Sequence, residues 1–326
     1  MAGPLLKNDK LRVTLKLLAL FIAVLIAAFI ANAAIIIGIN VYYHATIHDA
    51  PQAASAIDAA LSNVWVTLSI LLLQNAAFIF VAWLFLTKVD KVKFSWKELG
   101  LNIRKDTPKL ILAGFGLNLL FAPPLFGILL LIGATSFIAF GWAAQSPSAV
   151  ILSLILMGIG TIAVGFGEEI VFRGYLQNML TKKYGIVWAL PIASLIFVAV
   201  HLLPKVLSGS VELLYFVSVF PVALILGYLF YATKSLWIGV AFHALEDFMV
   251  LQVFSTYNVK SGSAPVFIIS EVKNVIVSGV TLGNWGDLMG LIVGSVLFLA
   301  IVAYFLYKNR AGQSGPASLD DKANVQ

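Results

Sequence analysis

Gly165-Phe166-Gly167-Glu168-Glu169-Ile170-Val171-Phe172-Arg173-Gly174-Tyr175 closes an apolar run that begins near Ala149. Two adjacent carboxylates and a guanidinium at the end of such a run are costly in a bilayer. Ionisable side chains there face a protein interior or a wet cavity, and they are functional candidates by default. The groups need partners, and the partners must come from other apolar segments.

Working outward, the chain has 326 residues, 61% of them hydrophobic and 11% charged, with mean hydropathy +0.98. Soluble domains carry about 25% charged residues, so an all-α polytopic membrane protein is expected. Runs of about 18 or more apolar residues are candidate spans. Eight are read: 14–40, 60–87, 109–135, 148–181, 186–203, 211–232, 235–254 and 287–307. The fourth is longer than a bilayer needs, and its end is expected to project as an amphipathic extension. The first has basic residues before it, but its apolar core exceeds the roughly 7–15 residues of a signal-peptide core, so a retained anchor is expected.

Lys/Arg bias sets the orientation. With the N-terminus inside, eighteen of the 21 basic residues fall on the inner side, and Lys205, Lys260 and Lys273 lie outside. Both termini are therefore expected in the cytoplasm of a multi-pass cell-membrane protein. Trp65, Trp83, Trp142, Trp188, Trp237 and Trp285 lie near span ends, as interfacial indoles do. Trp96 falls in the basic 88–109 segment and is expected to anchor a short surface helix there. Formal charge is +6, yet no nucleic-acid module is visible, and topology accounts for the basic residues. With no cysteine, disulfides, thiolate catalysis and Cys-ligated metal are excluded.

The chain divides into an N-terminal region 1–147 (spans 1–3 with the basic loop), a core 148–254, an external loop with the last span over 255–307, and a disordered tail 308–326. The outer loop 41–59 holds His44, His48, Asp49 and Asp58, residue types that could form a metal site, but it reads as a solvated loop. Val275-Ile276-Val277 suggests an external hairpin within 255–286. Gly290 and Gly294 form a GxxxG, read as close helix packing or a dimer face. Oligomeric state is not legible, and no internal repeat supports a transporter built from inverted halves.

Glu168 and His201 are each about 16 residues from the turn at Tyr184-Gly185, roughly 24 Å along helical arms at about 1.5 Å per residue. An antiparallel hairpin therefore sets them at similar depth. Glu169 and Arg173 are i,i+4 and can pair along one face, which leaves Glu168 to meet His201. Phe197, one turn before His201, would wall the site. His243 and Asp247 are again i,i+4 in span 7. The intramembrane acidic and His residues thus fall in spans 4, 5 and 7, and spans 1–3 contribute none.

A Glu in an apolar cavity can act as a base near neutral pH, so Glu168 with His201 can hold and deprotonate a water. His243 can then donate to the oxyanion formed on a carbonyl. No Ser or Cys is poised for an acyl-enzyme. The His/Glu set raises zinc, but neither HExxH nor HxxEH is present, so no metal or other cofactor is implied. Gly158-Ile159-Gly160-Thr161-Ile162-Ala163 mimics a dinucleotide fingerprint without its βαβ context and is dismissed.

At these residues the sequence resembles the CPBP family (CAAX protease and bacteriocin-processing), which includes the type II CAAX prenyl endopeptidase. The family pattern EExxxR, FxxxH, HxxxN/D reads here as Glu168-Glu169-Ile170-Val171-Phe172-Arg173, Phe197-Val198-Ala199-Val200-His201 and His243-Ala244-Leu245-Glu246-Asp247. The resemblance covers about 148–254. It implies Glu168 and His201 as the water-activating pair, His243 and Asp247 at the oxyanion site, and Arg173 in support, with no metal required. Where the prenyl protease has Asn, this chain has Asp247; an ionised carboxylate cannot donate to an oxyanion, so Asp247 is expected to orient His243. The implied activity is intramembrane endopeptidase, acting on a membrane-associated protein or peptide, lipidated or not, at the cytoplasmic side. The alternatives are a non-proteolytic scaffold, regulator or immunity factor of the same family, and a proton-coupled transporter.

Overall fold

The computed structural model describes residues 9–207, 209, 212–256 and 264–313. Seven helical stretches among them are long and apolar enough to cross a membrane: Leu11–Thr46, Val64–Val89, Thr107–Leu131, Pro147–Tyr184, Ile186–Leu203, Leu213–Thr233 and Trp285–Arg310. The elements are α1 (Asp9–Thr46), α2 (Ala50–Leu61), α3 (Val64–Leu84), α4 (Thr107–Leu119), α5 (Ala122–Leu131), β1 (Phe137–Phe140), α6 (Gly141–Ala144), α7 (Pro147–Glu169), α8 (Asn178–Tyr184), α9 (Ile186–Leu207), α10 (Leu213–Thr233), α11 (Trp237–Phe248), β2 (Phe254–Ser255), β3 (Phe267–Ile269), β4 (Asn274–Val277), β5 (Val280–Asn284) and α12 (Trp285–Gln313). This is a mostly helical, multi-pass membrane fold.

The segment expected as the seventh span, 235–254, is shorter. It forms α11, only 12 residues, prolonged by a π-helical turn over Met249–Val253. His243, Glu246, Asp247 and Gln252 interrupt its apolar surface, so it relies on protein neighbours rather than lipid. The third span is broken between α4 and α5, where Pro123 and Pro124 start the new helix; proline is accommodated in a first turn and not inside a helix.

The fourth span also differs from expectation. α7 starts with Ser146 accepting from the Ala149 amide, followed by Pro147. It then passes through a π-helical stretch, Ile170–Gln177, into α8, and all eight residues of that stretch are buried. The anticipated amphipathic extension is thus enclosed. Arg173 Nη2 donates to Ala223 O at 3.3 Å and Gln177 Nε2 to Gly227 O at 2.7 Å, so neighbouring backbone does what water would have done. The central apolar core forms around this stretch, with Phe78 and Val81 of α3, Leu20 of α1, Phe197 of α9, Ala223 of α10 and Val240 of α11.

Lipid gives helices no hydrophobic reason to associate, so close packing and polar contacts hold a bundle together. Glycines supply the closeness here. A Cβ on Gly165 would come within 2.9 Å of Val240 O, and one on Gly167 within 2.3 Å of Asn75 Oδ1. α7 is thereby pressed between α11 and α3. Gly290 and Gly294 face Ser218 and Pro221 of α10 in the same chain, so the GxxxG face is filled internally and the dimer-face reading is dropped. Ile151, Ile155 and Ile159 of α7, with Ile22, Ile26 and Phe29 of α1, are exposed, as suits lipid-facing stripes.

The loops sort onto two faces. On one, Lys16 and the Tyr175 hydroxyl both reach Asp90, Leu236 N donates to Gly100 O, and Arg104 Nη1 donates to Thr233 O. This is the face rich in basic residues. The short helix expected around Trp96 is replaced by turns, with Leu101 N donating to Trp96 O. On the other face, β1 and β2 flank β3, antiparallel and parallel respectively. The hairpin anticipated near 275–277 is present as β4–β5. Its turn residues Ser278 and Gly279 both have positive φ, 51° and 81°, as a tight two-residue hairpin requires. Of the expected disordered tail, residues through Gln313 continue α12, and 314–326 lie outside the described residues. His44 lies in the last turn of α1, and Asp49 caps α2 by accepting from the Gln52 amide.

Candidate active site

α7, α9 and α11 bring their polar residues to one place. Glu168 and Glu169 end α7, side by side in sequence and about 100° apart around the axis, so they serve different neighbours. Glu169 turns to α11, where Gly239 leaves room for its carboxylate: a Cβ there would stand 3.2 Å from Glu169 Oε2. Glu168 turns toward the space between His201 and His243.

Glu169 is fully buried. Its Oε1 accepts from Arg173 Nη1 at 2.8 Å and lies 3.0 Å from His243 Nδ1. A carboxylate can only accept, so His243 Nδ1 carries the proton and its Nε2 points onward. Arg173 is itself buried and stacks on Phe197, with Cζ 4.3 Å from the ring centroid. The same phenyl ring lies 4.4 Å from the His201 ring. His201 Nδ1 is 3.0 Å from Phe197 O; a carbonyl also only accepts, so this tautomer too is set, and Nε2 faces inward.

Both inward nitrogens converge on one oxygen. Glu168 Oε2 is 3.8 Å from His201 Nε2 and 3.8 Å from His243 Nε2. It is buried and has no hydrogen-bond partner among the described residues. These separations exceed a direct hydrogen bond, and a single water can touch the carboxylate and either imidazole. Asp247 Oδ2 lies 3.9 Å from His243 Nε2. It therefore borders the inward side of His243, while the hydrogen bond on Nδ1 belongs to Glu169. The hydrogen bond expected of Asp247 is thus made by Glu169 at Nδ1, and Asp247 stands by the other ring nitrogen.

A family model described as type II CAAX prenyl endopeptidase, Rce1-like, matches residues 149–249, the stretch that holds all of these side chains. The match covers the core and leaves the rest of the chain unmatched. Lysostaphin resistance protein A of Staphylococcus epidermidis, in two strains, is 31% identical over 132 residues. That match covers 39% of this chain and 34% of the relative, so the chain spans about a third of the length of the curated relatives it matches. No solved structure matches.

The matched core also leans on two amides outside it. Asn118 of α4, fully buried, donates through Nδ2 to Glu246 Oε2 at 2.7 Å. Asn75 of α3 packs against Gly167 and donates to Leu71 O at 2.9 Å. Neither was singled out from the sequence; a lone Asn in an apolar run was the available signal. On the opposite face of α7 from Glu168, Phe166 and Ile170 line an apolar cavity of about 270 Å³ with Ile79, Trp96, Leu101 and Trp237. Residues two positions away sit roughly 200° around a helix, so this cavity does not open onto the carboxylate.

Proposed function

We propose that this chain is an intramembrane endopeptidase of the CAAX-protease type, acting without a metal in its mechanism. The observation that supports this function best is the convergence of His201 Nε2 and His243 Nε2, each 3.8 Å from the unpartnered Glu168 Oε2. Water bound there donates to Glu168 and to the lone pair of His201 Nε2. Glu168 takes the water proton as the oxygen attacks the peptide carbonyl carbon. His243, doubly protonated with Nδ1–H held by Glu169, donates Nε2–H to the oxyanion. The proton on Glu168 then passes to the leaving nitrogen as the C–N bond breaks, giving an amine and a carboxylic acid, whose remaining water proton passes to His201 Nε2 to leave the carboxylate. Phe197 O holds His201 at Nδ1, and Arg173 holds Glu169 in place; Asp247 shapes the inner side of His243. The substrate is a membrane-associated protein or peptide, of the lipidated class that the family resemblance implies, entering from the cytoplasmic side with both termini of the enzyme on that side.

Comparing membrane peptidomes of cells expressing wild type and Glu168→Ala tests this. New carboxyl termini that vanish with Glu168→Ala are expected; identical peptidomes would overturn it. One observation favours a second reading, that of a non-enzymatic regulator: the matched relative is named as a resistance protein. In that case Glu168→Ala leaves the biological effect intact, while changes to exposed surface abolish it.

A further inference from the structure

The basic face holds a cavity that the hydrolytic chemistry leaves unused. It measures about 220 Å³ and opens between the 97–100 turn, α8 and the α10–α11 junction. Lys97, Lys234, Gln177, Asn178, Thr181 and Tyr231 are on its wall. Neither Lys97 nor Lys234 has a carboxylate partner among the described residues. Glu98 also lines the cavity, but its carboxylate lies 3.6 Å from Lys182 Nζ. The one carboxylate on the cavity wall is thus paired with a lysine outside the wall, and both lysines on the wall are left for a bound anion.

Lys234 adds an independent sign. It stands just after α10 with φ 53° and ψ 33°, left-handed backbone. Glycine adopts this helix-ending conformation most cheaply, so a lysine here gives up stability in return for what its side chain reaches. Its Nζ lies 4.0 Å from the Tyr231 ring centroid, which sets the ammonium against the cavity wall. Partial burial pulls its pKa below the ordinary lysine value, a cost that a bound anion removes. The wall itself is braced: Asn178 Nδ2 donates to Glu98 O at 3.0 Å, and Gln177 Nε2 to Gly227 O at 2.7 Å.

We propose that this cavity is a phosphate-binding site, with Lys97 and Lys234 gripping the anion from two sides and the Thr181 hydroxyl as a neutral donor. The phosphate comes from the headgroup of an anionic phospholipid or from free phosphate in solution. Since α8 continues the rod that carries Glu168, and α11 carries His243, an anion here ties together the outer ends of two site-bearing elements.

The test uses the full-length protein and reads Tm on adding phosphatidylglycerol, phosphatidylcholine or inorganic phosphate. Phosphatidylglycerol is expected to raise Tm and phosphatidylcholine to leave it unchanged. Lys97→Gln/Lys234→Gln is expected to weaken phosphatidylglycerol about 30-fold, from the usual contribution of each lysine near an anionic surface. Lys93→Gln/Lys105→Gln, which removes the same charge elsewhere on that face, is expected to keep the response. Lys97→Gln alone, on an exposed turn, gives a partial loss should the double variant not fold. An equal response to inorganic phosphate assigns the site to the free anion; no response assigns it to the lipid. A full phosphatidylglycerol response in the lysine variants, or equal loss in the control, overturns the site.

Discussion

Replacing Glu169 with Gln keeps the side chain's size and removes its charge. In the native protein that carboxylate is the shared acceptor for Arg173 Nη1 at 2.8 Å and His243 Nδ1 at 3.0 Å. Arg173 would remain buried, with only Ala223 O at 3.3 Å and the Phe197 ring to compensate it. Removing one partner of a buried ion pair costs about 3–5 kcal/mol. Stacking on Phe197 survives and contributes up to about 2 kcal/mol where a cation is desolvated, so the lower end, about 3 kcal/mol, is expected. Removing both charges avoids the uncompensated ion, so Glu169→Gln/Arg173→Met should be less destabilised than the sum of the single variants by about 2 kcal/mol or more. Unfolding by denaturing detergent in mixed micelles, with all four proteins, measures this coupling. An additive double variant, or a Glu169→Gln midpoint equal to wild type, would refute the idea that this pair anchors the site.

Other consequences follow from particular contacts. Gly167→Ala puts a Cβ within 2.3 Å of Asn75 Oδ1; overpacking of this kind costs about 1–3 kcal/mol, and Asn75→Ala in the same chain should recover most of it in the same unfolding titration. Asn118→Leu strips Glu246 of its 2.7 Å donor and should destabilise by about 1–3 kcal/mol, whereas Asn118→Leu/Glu246→Leu should be closer to wild type. Cleavage should survive a zinc chelator at full rate, since the proposed chemistry runs through Glu168 and the imidazoles; abolition by chelator, with recovery on adding zinc, would replace the mechanism.

What the sequence carried was local and periodic. Apolar runs long enough for a bilayer gave the helical class, and i,i+4 spacing gave the Glu169–Arg173 pair, which the structure closes at 2.8 Å. Equal distances from the Tyr184-Gly185 turn brought Glu168 opposite His201, and their atoms lie 3.8 Å apart. What stayed hidden depended on contacts between distant segments. Glu169 and His243 are 74 residues apart, and no spacing rule says which acceptor a ring nitrogen will find, so Asp247 was given a role that Glu169 occupies. The enclosure of Ile170–Gln177 was missed because a run longer than a bilayer needs reads as projecting beyond it, until Ala223 and Gly227 supply acceptors for Arg173 and Gln177. The β1–β3–β2 sheet joins strands of two to four residues from distant segments, too short for alternation to register.

Single-turnover cleavage by the purified protein, wild type against Glu168→Gln, with a substrate taken from the peptidome comparison, tests the hydrolytic site most directly. Loss of a positioned general base predicts a rate lower by about 10²–10⁴-fold with unfolding unchanged. A Glu168→Gln protein that cleaves at the wild-type rate would contradict it.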